Sequence, residues 1–419
     1  MEYFLPDWED RLDPNYNFET DTFSRDRSAA YATDVYAHQI FKKPPYDGIL
    51  ISLAVFKDKI NLMSDGNGGK QIRNFKSIKD YLRIERSSEL KVMGDCGAFS
   101  YINEDFPPED YRIDKVSDIY QALKFDYGVS VDHMIPDSVM RKKGNKIRKI
   151  NITEKQKEER RQLTLKNAKE FIKYHRKKNL DFVPIGAVQG YCPETYADSA
   201  AKTIEMGYSY IGIGTLVPKS DDEIVEILKA VKIAIGKKKI KIHLFGILRP
   251  RKIEEFKSLG VSSFDSASFL RKAWLRAGRN YIAKNGNWYA AIRIPYSENS
   301  VLIKNALKEG YSVEDIKHME KMALKVVRDY ASKKTEDVEK VLKTVLKYDM
   351  LLLREHDGNH HYDKYKKTLI DRPWERCNCE ICKEIGVDVI IFRGANRNKR
   401  RGFHNIKVFY DRFLSDNSK

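Results

Sequence analysis

Near its end the chain carries CNCEIC and, later, GFHN, which together give Cys377, Cys379, Cys382 and His404 the spacing C-x-C-x2-C-x21-H. Zinc takes four thiolate or imidazole ligands in a tetrahedron, so these four donors would fill one ion's shell and leave no place for a reacting water. A structural Zn2+ is therefore expected. His356, His360 and His361 in REHDGNHHYD are rival donors by type, but that polar segment reads more simply as a solvated turn. A second set of residues is spread along the chain. Asp95 in KVMGDCGAF, Asp132 in GVSVDHMIP, Gln189 in VPIGAVQG and Asp265 in SSFDSASF each close an apolar run. A single aspartate at such a place is ordinary turn chemistry. Three carboxylates and an amide at four such ends make a set that could attack, move protons and read a polar edge, provided that they converge.

Convergence depends on the elements that carry them. Short β-branched runs alternate with amphipathic stretches over residues 1–275. Strands are expected at 3–5, 48–54, 91–94, 129–132, 182–189, 210–214, 240–246 and 261–265. In SDDEIVEILKAVKIAI, Ser220 is placed to cap a helix whose apolar face is Ile224, Leu228 and Val231. Eight strand-helix units imply parallel pairing and a closed (β/α)8 TIM barrel, in which catalytic groups gather at the carboxyl ends of the strands. Residues 298–373 break the alternation. Ser312 and Asp315 begin one helix with the face Ile316, Met319, Ala323, Val326 and Tyr330, and Thr335 is placed to cap a second with Val338, Val341, Leu342 and Val345. The expected α/β organisation is a barrel over 1–297, a helical insertion over 298–373, and a zinc-binding loop with a closing helix over 374–419.

Lysine and arginine number 77 against 60 acids, and the resulting +17 favours a polyanionic partner. Two basic runs stand out. MRKKGNKIRK holds Arg141, Lys142, Lys143, Lys146, Arg148 and Lys149, and RGANRNKRRG holds Arg393, Arg397, Lys399, Arg400 and Arg401. Both are candidates for gripping phosphates, although a charge run is often only a solvated face. Five cysteines, three of them clustered, make no disulfide framework. The opening MEYFLPDWEDRLDP lacks the marks of a secretory signal, and no apolar run approaches the ~20 residues that span a bilayer. A cytoplasmic protein is expected. There is no G-x-x-x-x-G-K-[ST] loop, and Val217 stands where GIGTLV would need a third glycine to bind a dinucleotide.

Through nearly its whole length the chain resembles the tRNA-guanine transglycosylases, and within them the DpdA-type branch that inserts 7-deazaguanines into DNA. The family's Asp-Ser-Gly-Gly-Phe-Gln motif is matched by Asp95-Cys96-Gly97-Ala98-Phe99-Ser100, its base-binding aspartate by Asp132, its Val-Gln-Gly glutamine by Gln189, and its Phe-Asp nucleophile by Asp265. The zinc loop matches Cys377 to His404, with HNIKVFYDRF as the closing helix. The family's Ile-Gly-Gly turn, whose backbone touches the base, is here Ile213-Gly214-Thr215. The helical insertion and both chain ends look like the DNA branch, and no further RNA-binding domain of the archaeal tRNA type is expected.

The resemblance implies a pentosyltransferase that exchanges guanine in DNA for a free 7-deazaguanine base, and suggests 7-cyano-7-deazaguanine, with the exact substituent left open. Asp265 would attack C1′, Asp95 would handle protons, and Asp132 and Gln189 would complement guanine's donors and acceptors. Two alternatives stay open: a transglycosylase acting on tRNA, and a silent nucleic-acid-binding homologue. The need for a helper ATPase is open as well. Cys96 could line the site or fill the core, Cys192 is expected to be an ordinary small residue, and His133 and His243 are expected to be satisfied core or rim histidines.

Overall fold

The computed structural model describes residues 1–27, 33–56, 76–143, 146–275, 278–352 and 359–414. Eight parallel strands close a barrel: β1 (Glu2–Pro6), β2 (Gly48–Ser52), β3 (Lys91–Asp95), β4 (Tyr127–Val129), β7 (Val183–Val188), β8 (Tyr210–Ile213), β9 (Lys241–Leu244) and β10 (Val261–Asp265). Between β4 and β7 an antiparallel ribbon is built from β5 (Ser138–Lys143) and β6 (Lys146–Asn151). Closure runs through β1, which pairs with β10 on one side and β2 on the other.

All eight expected strands are present. The fourth is displaced: pairing covers Tyr127–Val129, and Ser130 to Asp132 continue as loop. Phe4, Leu50, Met93, Tyr127, Val129, Ile185, Ala187 and Tyr210 form one buried cluster. Because side chains alternate along a strand, Asp95 shares Met93's face, Gln189 that of Ile185 and Ala187, and Asp265 that of Ser263. Strand periodicity thus directs the polar ends inward.

Helices clothe the strands as the pattern requires. Glu154–Lys178 begins with a capping box of Thr153 and Gln156, and Asp221–Ile235 with one of Ser220 and Glu223. Ile224, Leu228 and Val231 on the latter are fully buried.

By internal contacts the chain forms two compact units, Met1–Trp8 with Tyr46–Ala267, and Glu9–Pro45 with Ser268–Lys419. This division differs from the expected boundaries. The barrel unit ends at Ala267, and residues 9–45 belong with the C-terminal half. The second unit holds the helices Ser300–Lys308, Val313–Ala331, Val338–Asp349, Asn359–Asp371, Glu380–Ile385 and Gly394–Phe413. Ser312 caps its helix with Asp315, as expected. The next helix is capped by Asp337, which accepts from the Lys340 amide, and not by Thr335, because the chain turns helical only at Val338. His360 and His361 lie on the helix Asn359–Asp371 and not in a turn, while the part of that segment before the helix, with His356, lies outside the described residues. Among the described residues no helix is long and apolar enough to cross a membrane.

Candidate active site and metal centre

Parallel strands end at the same mouth of the barrel, and the four polar residues meet there. Gln189 donates from Nε2 to Asp132 Oδ2 at 2.6 Å. Its Oε1 accepts from Thr215 Oγ1 at 2.7 Å, so both ends of the amide are assigned. Gly214 is required at its place, since a Cβ there would stand 2.3 Å from Gln189 Nε2. The other carboxylate oxygen of Asp132 accepts from Cys96 Sγ at 3.2 Å, and Tyr101 donates to the Asp132 carbonyl at 2.9 Å. Asp132 and Gln189 are 7% and 2% exposed. Burial raises the pKa of Asp132, against the opposing pull of Gln189 and Cys96.

Asp95 is pushed much further, to about 8, by burial and then by the charges of Asp132 and Asp265, with the Gly97 amide at 3.1 Å pulling the other way. Gly97 makes that turn with a φ of 83°, and a Cβ there would meet Ala54 Cβ at 2.5 Å. A carboxyl raised this far favours its protonated form near neutral pH, the form that a proton donor would need.

Asp265 is gripped on one side. Its Oδ1 accepts from the Gly246 amide at 2.9 Å and from His243 Nε2 at 3.1 Å. His243 Nδ1 lies 2.6 Å from Ser263 Oγ, which also bonds the Tyr210 hydroxyl. A proton on His243 Nε2 satisfies the whole row: tyrosine donates to serine, serine to Nδ1, and Nε2 to the carboxylate. With Oδ1 engaged twice, Oδ2 is the oxygen left to act.

His243 was expected to be a satisfied core or rim histidine. It is buried and satisfied, but one of its partners is Asp265. A polar ring in the apolar run KIHLFG, two residues before Phe245, was the available signal. Cys96 lines the site, whereas Cys192 caps the helix Pro193–Glu205. His133 is structural, as expected. It bonds the Glu104 and Asp105 carbonyls, and burial beside Arg160 drives its pKa down to about 4. Thr215 was visible only as a departure from Ile-Gly-Gly. It holds a φ of 54°, costly for a β-branched residue, and its hydroxyl orients Gln189.

In the second unit Cys377, Cys379, Cys382 and His404 are all buried, with their ligand atoms within 4.8 Å of one another. His404 Nδ1 lies 3.7, 3.3 and 3.4 Å from the three sulfurs in order. Zinc bonds to sulfur and nitrogen in a tetrahedron imply separations of about 3.6 Å, which these match. His404 Nε2 lies 2.8 Å from the Ile282 carbonyl, to which it donates, leaving the Nδ1 lone pair for a metal. The Tyr281 ring stacks on His404 at 4.1 Å. This group could hold a metal.

The two basic runs part company. In the second, Arg397, Arg400 and Arg401 are at most 1% exposed and unavailable to phosphate, which corrects their expected role. Arg397 binds Asp21 and Asp388, Arg400 the Asp13 and Pro14 carbonyls, and Arg401 the Ala273, Val389 and Ile391 carbonyls. Lys399 spends its ammonium on the Glu9 and Arg11 carbonyls. Arg393 is buried against Asp21. The cause is helical: positions 397, 400 and 401 share the inward face of Gly394–Phe413. Most of the first run is exposed. Lys142 and every residue of β6 face solvent, and Arg141 pairs with Asp105. Lys143 closes β5, but its side chain lies outside the described residues.

A family model described as queuine tRNA-ribosyltransferase matches residues 136–390. A curated relative from Salmonella montevideo, named DNA-guanine transglycosylase, is 36% identical over 414 residues, which is 98% of this chain and 96% of the relative. The family model takes in more than half of the chain, and the relative's alignment runs through both compact units. The chain belongs to the queuine tRNA-ribosyltransferase family of transglycosylases.

Proposed function

We propose that this protein exchanges guanine in DNA for a free 7-deazaguanine, of which 7-cyano-7-deazaguanine is the first to try. The observation that carries the reading is the meeting of Asp95, Asp132, Gln189 and Asp265 at one barrel mouth, with the Asp95 pKa raised to about 8 and one oxygen of Asp265 unengaged. A relative named for DNA, alike over nearly the full length of both chains, supports DNA over tRNA.

Asp265 Oδ2 attacks C1′ as the C1′–N9 bond breaks, and the electron pair leaves with guanine. Asp95 gives its proton to the departing base. It then takes the proton from the incoming base, whose nitrogen attacks C1′ and expels the Asp265 carboxylate. One glycosidic bond replaces another, so the exchange itself consumes no ATP. Asp132 accepts from the N1–H and exocyclic amine of the base, with Gln189 held in place by Thr215. Cys377, Cys379, Cys382 and His404 would hold a zinc ion, which supplies cross-linking and no chemistry because its shell is closed.

The test is to incubate the protein with DNA and the free deazapurine, digest the DNA to nucleosides and weigh them. A modified deoxynucleoside is expected. Incorporation into tRNA and into no DNA would overturn the choice of substrate.

Asp95 gives a second prediction. Single-turnover adduct formation should be level below pH 8 and fall about tenfold per unit above it, because the proton it donates is lost at about 8. Since burial raises this pKa from 3.8, the protonated acid stabilises the fold at low pH, and that contribution is lost as pH rises through about 8. Asp95→Asn should therefore lose exchange yet melt higher than wild type at pH 9. A pH break near 8 that survives in Asp95→Asn would assign it to another group.

A further inference from the structure

The ribbon of β5 and β6 has features that phosphate binding alone does not explain. From Ser138 to Asn151 the sequence SVMRKKGNKIRKIN holds six cations and no acid. Lysines along a lone ribbon would be accounted for by edge protection. The apolar residues are not: Ile147 is 69% exposed, Met140 47% and Ile150 44%. Strand register pairs Met140 with Lys149 and Lys142 with Ile147, so these four share one face. That face presents two apolar side chains set diagonally between two lysines.

The ribbon is firmly rooted beside the active site. Ile135, Val139 and Ile152 form a buried cluster, with Tyr191 packed against it, two residues beyond Gln189. The Ile135 amide donates to Thr215 Oγ1 at 3.3 Å, on the same hydroxyl that orients Gln189, and the Met140 amide donates to Asn103 Oδ1 at 2.8 Å. The base of the ribbon thus shares residues with the base-reading pocket.

If guanine in duplex DNA is the substrate, it must leave a stacked and paired helix before Asp265 can reach C1′. Two-stranded ribbons enter the grooves of DNA, and from the minor groove isoleucine and methionine are among the side chains that proteins drive between base steps to unstack them. We propose that the ribbon Ser138–Lys143/Lys146–Asn151 opens the duplex: Ile147 and Met140 wedge into the stack beside the withdrawn guanine, while Lys142, Arg148 and Lys149 hold the phosphates. This rests on DNA being the substrate and adds how the base is released from its partner strand.

The test compares wild type with Met140→Ser/Ile147→Ser on one target guanine in three settings: a duplex, the same strand alone, and a duplex in which the guanine faces an abasic site. The variant should lose tenfold or more on the paired duplex and less than twofold on the other two. Both side chains face solvent, and single-strand activity reports that the variant is folded. In an Asp265→Ala background, 2-aminopurine next to the target should brighten on binding, and should fail to do so once the wedge residues are replaced. Equal losses in all three settings, or none, would overturn the wedge while leaving base exchange intact. Wild-type activity confined to single strands would do the same. A change in oligomeric state in the variant would assign these residues to a protein contact instead. If the wild type modifies tRNA and no DNA in any setting, the substrate reading itself fails.

Discussion

Asp265→Ala is expected to lower base exchange by roughly four orders of magnitude or more, and no covalent protein–nucleic acid species should form with it. The size of the effect follows from geometry. Asp265 is 6% exposed at the barrel mouth, with the Gly246 amide and His243 Nε2 both on Oδ1. Water reaching C1′ in its place would lack both the orientation and the leaving ability of a carboxylate. Asp265→Asn is the sharper version, since it keeps the volume and an acceptor for Gly246 but cannot form the ester. The measurement is a denaturing gel and intact-protein mass after trapping on guanine-containing DNA. An adduct that persists in Asp265→Ala places the nucleophile elsewhere.

Removing the metal is expected to have the largest effect on stability. In Cys382→Ser the four-donor shell is broken, and a strong chelator acting on wild type should do the same. Metal binding is worth on the order of 10 kcal/mol in small zinc domains, because the site does not exist in the unfolded chain. Here the ion would tie the loop Cys377–Cys382 to the helix Gly394–Phe413, and through His404 Nε2 to Ile282. Loss should lower the melting temperature by roughly ten degrees or more. One zinc per chain by elemental analysis, released in step with unfolding, is the expected record. A Cys382→Ser protein that binds no metal and melts like wild type would show the four residues to be ordinary core.

Much of the site could be read from the order of residues because strand geometry is local. Asp95, Gln189 and Asp265 follow inward positions at a period of two, so a barrel, once inferred, sends all three to one end. Asp132 was found for a less secure reason: β4 stops at Val129, and the loop beyond it carries the carboxylate into the pocket. His243 was passed over because nothing in a single strand reveals what its neighbouring strands carry. Its partners Ser263 and Asp265 come from β10, and Tyr210, which bonds Ser263, comes from β8 on the other side. Cys96 and Thr215 hold polar atoms whose partners lie 36 and 26 residues away along the chain.

The two basic runs mark the same limit. Composition counts charges but does not say which way they point. RGANRNKRRG and MRKKGNKIRK look alike as strings, yet one forms a helix whose inward face takes Arg397, Arg400 and Arg401, while the other forms a ribbon that leaves Lys142, Lys146, Arg148 and Lys149 in water. Arginine can be buried where backbone carbonyls and carboxylates satisfy its five donors, and only the folded chain supplies them.

By itself the order of residues determined the eight-stranded alternation, the acids at or just beyond the strand ends and the four candidate metal donors, because each is encoded within one element or at short spacing. Tertiary structure alone decided the burial that raises the Asp95 pKa to about 8, which oxygen of Asp265 is left unengaged, and which cations reach solvent. Those properties depend on burial and on neighbours brought from distant parts of the chain, and the energy of a charge is set by what surrounds it.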